Sequence, residues 1–185
     1  WEAVGGYHNE QLARIAFSDN PNTWHPVNGW HLKDSLGNPV FKSDQDSYAV
    51  FSDSNNTKEV IGIVVAQTGY TYGVKFAQNI IFYKYEVTNQ GNKDLDSLYF
   101  AMYCDIDVGN NAGTSNQEYG DDKIGFDKGN NFLYFYDAKG FSRDWNEPTG
   151  YFGVTFLRTP EINGVEPGIT DMHYNLYFDD IDDDN

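Results

Sequence analysis

Apolar residues recur at every second position along most of this chain, the period of strands with one face buried and the other wet. The run from 98 to 107 carries it most plainly. Leu98, Phe100, Met102, Cys104 and Ile106 share one face, and Tyr99, Ala101, Tyr103, Asp105 and Asp107 share the other. Upstream, Ile81, Tyr83, Tyr85 and Val87 alternate with Phe82, Lys84, Glu86 and Thr88. Between the two runs lie the turn formers Asn89-Gln90-Gly91-Asn92-Lys93-Asp94, which predicts that the runs pair antiparallel. A tighter hairpin is predicted for Ile124 to Asp127 and Phe132 to Tyr136, because Lys128-Gly129-Asn130-Asn131 places Gly and Asn where positive φ is needed. Further strands are predicted over 12–17, 47–51, 60–67 and 151–157. Val60 to Val65 reads as a strand buried on both faces.

No stretch of a dozen residues combines a helical stripe with an N-cap and a closing Gly. The segments 18–33 and 138–150 read as irregular excursions. At least seven strands separated by turn signals predict an all-β protein. The expected architecture is an antiparallel β-sandwich, jelly-roll or immunoglobulin-like, with long Asp/Asn-rich loops and little helix. No repeat or shift in composition divides the 185 residues, so one domain over 1–185 is expected. The start at Trp1 and the acidic close after the strand-like Tyr174 to Phe178 read as cuts in a longer modular protein.

Charge narrows the functional classes. With 12 basic against 28 acidic residues the formal net charge is −16, which excludes nucleic-acid binding, since that needs Lys/Arg patches. No apolar run approaches the ~20 residues of a membrane helix, so membrane insertion is not expected. Aromatic residues make up 17% of the chain, enough large rings to build a core despite the charge. Twenty of the 28 acids are Asp, a residue of turns and oxygen-ligated loops rather than of helices. Cys104 is the single cysteine, so no disulfide closes within the chain, and its place on the apolar face marks a buried inert thiol.

The residues closest to chemistry are Asp105, Asp107 and Asn110, followed after a Gly/Ser/Asn-rich loop by Asp121, Asp122 and Asp127. Asp105 and Asp107 lie on one strand face with Cα atoms ~6.5 to 7 Å apart, close enough to converge on one cation. Ca²⁺ takes 6 to 8 oxygens, which these carboxylates and the neighbouring Asn could supply. The spacing is not that of an EF-hand, whose Gly and Glu positions are both Asn here. A solvated acidic loop is the bland alternative. Asp44 and Asp46 read as turn and strand-entry residues.

Catalytic patterns are weaker. His8, His25, His31 and His173 show no metal-ligand spacing, and neither a nucleophile elbow nor a phosphate loop occurs. Two carboxylates on one strand cannot flank a glycosidic bond. Tyr70, Tyr72, Tyr83, Tyr85, Tyr99, Tyr103, Trp24 and Trp30 could form a sugar-binding platform, but sheet packing accounts for them more simply.

The stretches SDQDSYAVFSDSN, FYKYEVTNQGNKDLDSLYFAMYCDIDVGN and DDKIGFDKGNNFLYFYDA resemble a segment of large secreted and cell-surface proteins of Bacteroidetes and related bacteria, many exported by type IX secretion. There a strand ending in D-x-D-x-G precedes a D-D-x-x-G-x-D strand, and Asp105, Asp107, Asp121, Asp122 and Asp127 match its recurring acids. The resemblance covers roughly residues 43 to 137 and implies export and a modular host. The expectation is therefore a non-enzymatic, extracellular Ca²⁺-binding module with a structural or adhesive role. Its partners would be the remaining domains of a longer chain and a glycan or surface protein. The alternative is a carbohydrate-binding module of a secreted polysaccharide-degrading protein.

Overall fold

The computed structural model describes residues 15–54, 56–57, 59–104, 106–109, 122–142 and 146–172. The chain divides into two compact units, Trp1–Phe100 and Ala101–Asn185. All sheet pairings are antiparallel, and the described residues hold no helix beyond the 3-10 turn Pro21–Thr23. The expected all-β class is thus observed.

In the first unit, β1 (Ala16–Phe17), β2 (Gln45–Ser52), β3 (Ile63–Thr71) and β4 (Ile81–Asn89) form a four-stranded sheet in chain order. The register puts Tyr48, Thr68 and Lys84 in one row across β2, β3 and β4, and Ala49, Gln67 and Tyr85 in the next. The predicted strand at 47–51 extends to 45–52. The one at 12–17 survives as Ala16–Phe17, with 12–14 outside the described residues.

The excursion after β1 folds on its own small core. Trp30 is 1% exposed, donates Nε1–H to the Val40 carbonyl at 3.0 Å, and packs against Trp24 and Phe41 with centroids 5.7 and 5.5 Å away. Trp24 likewise donates Nε1–H to the Phe17 carbonyl. These two tryptophans are packing residues rather than part of a sugar platform. One buried and one half-buried indole, each with its N–H satisfied, hold the shape of this short irregular segment.

Two expectations are corrected. The strand expected over 60–67 begins at Ile63, because Gly62 turns the chain at φ +84° and the loop before it is committed to Asp53. It is not buried on both faces, since Val60 is exposed and Val64 and Val65 are half-buried. The clearest predicted strand, 98–107, joins no ladder among its described residues, and β4 pairs with β3 instead. The turn after β4 is tied back to the Gly62 loop. Gln90 N–H reaches the Gly62 carbonyl at 2.7 Å, and a Cβ on Gly62 would fall 2.6 Å from the Gly91 backbone. Alternation alone supplies no partner strand, and here Leu98, Phe100 and Met102 of the expected inner face are exposed.

In the second unit, β5 (Asp122–Asp127), β6 (Phe132–Asp137) and β9 (Tyr151–Thr155) form a three-stranded sheet ordered β5-β6-β9. The predicted hairpin is present, its turn closed by Asn131 at φ +57°. One face gathers Ile124, Phe126, Leu133, Phe135, Phe152 and Val154, with Phe135 6% exposed. Within the segment expected to be irregular, β7 (Phe141–Ser142) and β8 (Glu147–Pro148) make a minimal second pairing.

Candidate metal centre and its aspartates

Aspartate side chains organise most of the loops, each by accepting backbone N–H bonds that the chain could not satisfy in a ladder. Asp46 is 1% exposed. Its Oδ2 accepts from Lys42 N–H at 2.8 Å, and its Oδ1 from Ser43 N–H at 2.9 Å and from the Ser43 hydroxyl. Asp44 Oδ2 accepts from Gly73 N–H at 2.7 Å. The turn and strand-entry reading of this pair therefore describes what both carboxylates do.

Asp53, directly after β2, is the most complete case and was not singled out by the sequence. Its Oδ2 accepts from Ile61 and Gly62 N–H at 2.6 and 3.0 Å, and its Oδ1 from Ile63 N–H at 3.0 Å. Burial opposes its charge, yet the backbone donors outweigh that cost and hold its carboxyl below the ordinary carboxylate range. The donors lie 8 to 10 residues downstream, so no local motif announces the cradle.

Of the six expected ligands, Asp105, Asn110 and Asp121 lie outside the described residues. Asp127 is spent on its hairpin: Oδ1 accepts from Gly129 and Asn130 N–H, and Oδ2 from the Asn130 side-chain amide at 2.7 Å. The Asn130 amide lowers its carboxyl pKa most, followed by the backbone donors. Asp127 caps its own turn.

Asp107 and Asp122 behave differently. Asp107 is exposed in the segment 106–109, where Gly109 turns at φ +116°. The next residue, Val108, donates its N–H to Asp122 Oδ2 at 2.9 Å. One hydrogen bond thus sets the D-x-D segment against the start of β5, although 14 residues separate its partners. Asp122 also stands directly across the ladder from Asp137, a 5%-exposed carboxylate whose Oδ1 accepts from Lys139 and Gly140 N–H at 2.6 and 3.0 Å. Asp137 was missed by the sequence reading. Hairpin register would have revealed it, since pairing Asp127 with Phe132 carries Asp122 to Asp137. Among the described residues, no group of three or more His, Cys, Asp or Glu has the arrangement of a metal site.

The remaining candidates are structural. His25 Nδ1 accepts from Val27 and Asn28 N–H, and His31 stacks on Tyr48 with centroids 3.7 Å apart. His8 and His173 lie outside the described residues. Cys104 is a half-buried thiol whose pKa burial raises. Comparison with protein-family models, with curated proteins and with solved structures gives no match.

Proposed function

We propose that this chain is a non-catalytic, exported β-sandwich module in which Asp107 and Asp122 supply two of the carboxylates of a Ca²⁺ site. In this reading the ion rigidifies a structural or adhesive part of a larger bacterial surface protein. The observation that carries it is the hydrogen bond from Val108 to Asp122, which brings the D-x-D segment to a strand end where two carboxylates already face each other. Like charges directly opposite across a ladder destabilise the pairing, and an oxygen-seeking divalent cation would reverse the sign of that interaction. The jelly-roll or immunoglobulin-like arrangement and the extracellular location belong to the same proposal and rest on the strand pattern and the family resemblance.

Two features favour a non-catalytic role. The carboxyls of Asp34, Asp53 and Asp127 are all displaced downward, whereas a general acid needs a raised pKa. Each is held by hydrogen bonds to nearby backbone or amide groups.

Calorimetric titration of the chain with CaCl₂ at fixed ionic strength tests the site. The wild type should bind with a Kd of about 0.1 to 1 mM, the range of extracellular modules. Asp107→Asn with Asp122→Asn should abolish binding while preserving the oxygen that Val108 needs. Absence of Ca²⁺ binding in metal-stripped wild type, or unchanged binding in the double variant, would overturn the assignment.

A further inference from the structure

The face of the second unit's sheet that lies opposite Phe135 carries a row of rings, three of them half-buried and the last, Tyr151, exposed. Register places Phe132, Tyr134 and Tyr136 of β6 on this face, flanked by Thr155, Gly153 and Tyr151 of β9 and by Asp127, Gly125 and Lys123 of β5. Phe132 and Tyr134 are 5.8 Å apart at 18°, Tyr134 and Tyr136 5.9 Å at 28°, and Tyr136 and Tyr151 5.6 Å at 24°. Successive rings therefore stay within 28° of parallel across two strands, while Tyr134 and Tyr151 are tilted by 51° to each other.

Two glycines make that series possible. A Cβ on Gly125 would lie 2.0 Å from Tyr134 Cζ, and one on Gly153 would lie 2.4 Å from Phe132 Cζ. Each ring tip occupies the space where a neighbouring side chain would begin. At the end of the row Tyr151 is 75% exposed.

We propose that this strip binds a neutral polysaccharide. Its ligand must offer repeated flat apolar faces to match the repeated rings. It must also offer polar edges to meet the Tyr hydroxyls and the Lys123 ammonium, which lies in the row of Tyr136 and Tyr151. Sugar rings in a chain have that character, with C–H faces and hydroxyl rims. Tyr suits such a surface because it gives large contact area for little conformational entropy and keeps a polar tip. A net charge of −16 disfavours polyanions, including nucleic acids and acidic glycans. None of the four rings is among the aromatics that the sequence alone singled out. The inference does not depend on the metal site.

The test is affinity electrophoresis of the full 185-residue chain in native gels containing hydroxyethyl cellulose, β-1,3-glucan, arabinoxylan or galactomannan, with alginate as the anionic control, run both in Ca²⁺ and in EDTA. At least one neutral polymer should retard the protein, and alginate should not. Tyr151→Ala should weaken the retardation about tenfold or more, the scale of removing one stacking ring. Tyr151→Phe should retain most of it, and Tyr99→Ala, at an exposed ring elsewhere, should leave it unchanged. A far-UV circular dichroism spectrum and Tm of Tyr151→Ala matching wild type show that its loss of binding is not a loss of folding. Retardation by no neutral polymer, equal retardation by alginate, or binding indifferent to Tyr151→Ala would overturn the proposal. Retardation that persists in EDTA would support the strip even if the metal reading fails.

Discussion

The Asp53 carboxylate accepts three backbone N–H bonds, so the loop between β2 and β3 depends on its charge. Its folded pKa is depressed, so its contribution is present above the unfolded value of about 3.9 and is lost as pH falls through the folded value. Asp53→Asn, which turns an NH₂ group toward backbone donors, should lower Tm at pH 7, and its difference from wild type should shrink below about pH 4. A difference of the same size at both pH values would contradict the cradle. His31 shows the opposite ionisation. Partial desolvation lowers its pKa, although Asp46 and Glu86 pull the other way and Lys42 and Lys84 add to the lowering. Folding then favours the neutral ring, so stability falls as pH drops below about 6.5 toward the folded value. His31→Phe, which keeps a ring on Tyr48, should flatten the change in Tm between pH 7 and pH 5. An unaltered slope would exclude His31 as its source.

Among the elements, the β5–β6 hairpin was legible in the sequence because its information is local: alternation on both arms and Gly and Asn in the turn. The fate of 98–107 was not, since its partner depended on where the turn after β4 docks, and that is fixed by Gly62 and Gly91 some thirty residues apart. The Asp residues show a similar divide. Composition revealed an excess of loop-forming acids, but which groups they meet is set by distant chain at Asp53 and Asp122. Asp127 proved to cap its own hairpin, whereas Asp122 is reached by Val108. The glycines give a graded test. Gly62→Ala meets backbone at 2.6 Å at a positive φ and should cost about 1–3 kcal/mol. Gly125→Ala meets a ring tip that can swing aside, and should cost less, about 1 kcal/mol. Urea denaturation that reverses this order would show that the Gly62–Gly91 approach does not constrain the loop.

At the scale of the whole molecule, 28 acidic residues against 12 basic ones leave a self-repelling chain. The described ion pairs, Lys84 with Glu86 and Arg158 with Glu161 and Glu166, are exposed and offset little of it. Raising NaCl from about 10 to 150 mM shortens the Debye length from ~30 to ~8 Å and should raise Tm by screening alone. A flat response would mean that the carboxylates are already neutralised. A bound ion must act beyond that screening. The decisive measurement is thermal unfolding of the chain at constant ionic strength in EDTA, in 10 mM Mg²⁺ and in 10 mM Ca²⁺. With a Kd of about 0.1 to 1 mM, Ca²⁺ should stabilise by about 1.4 to 2.7 kcal/mol and raise Tm by about 3 to 10 °C. Mg²⁺ should do little, and Asp107→Asn with Asp122→Asn should erase the rise. Equal melting in Ca²⁺ and EDTA, by protein that metal analysis shows to be free of bound ions, would contradict the account.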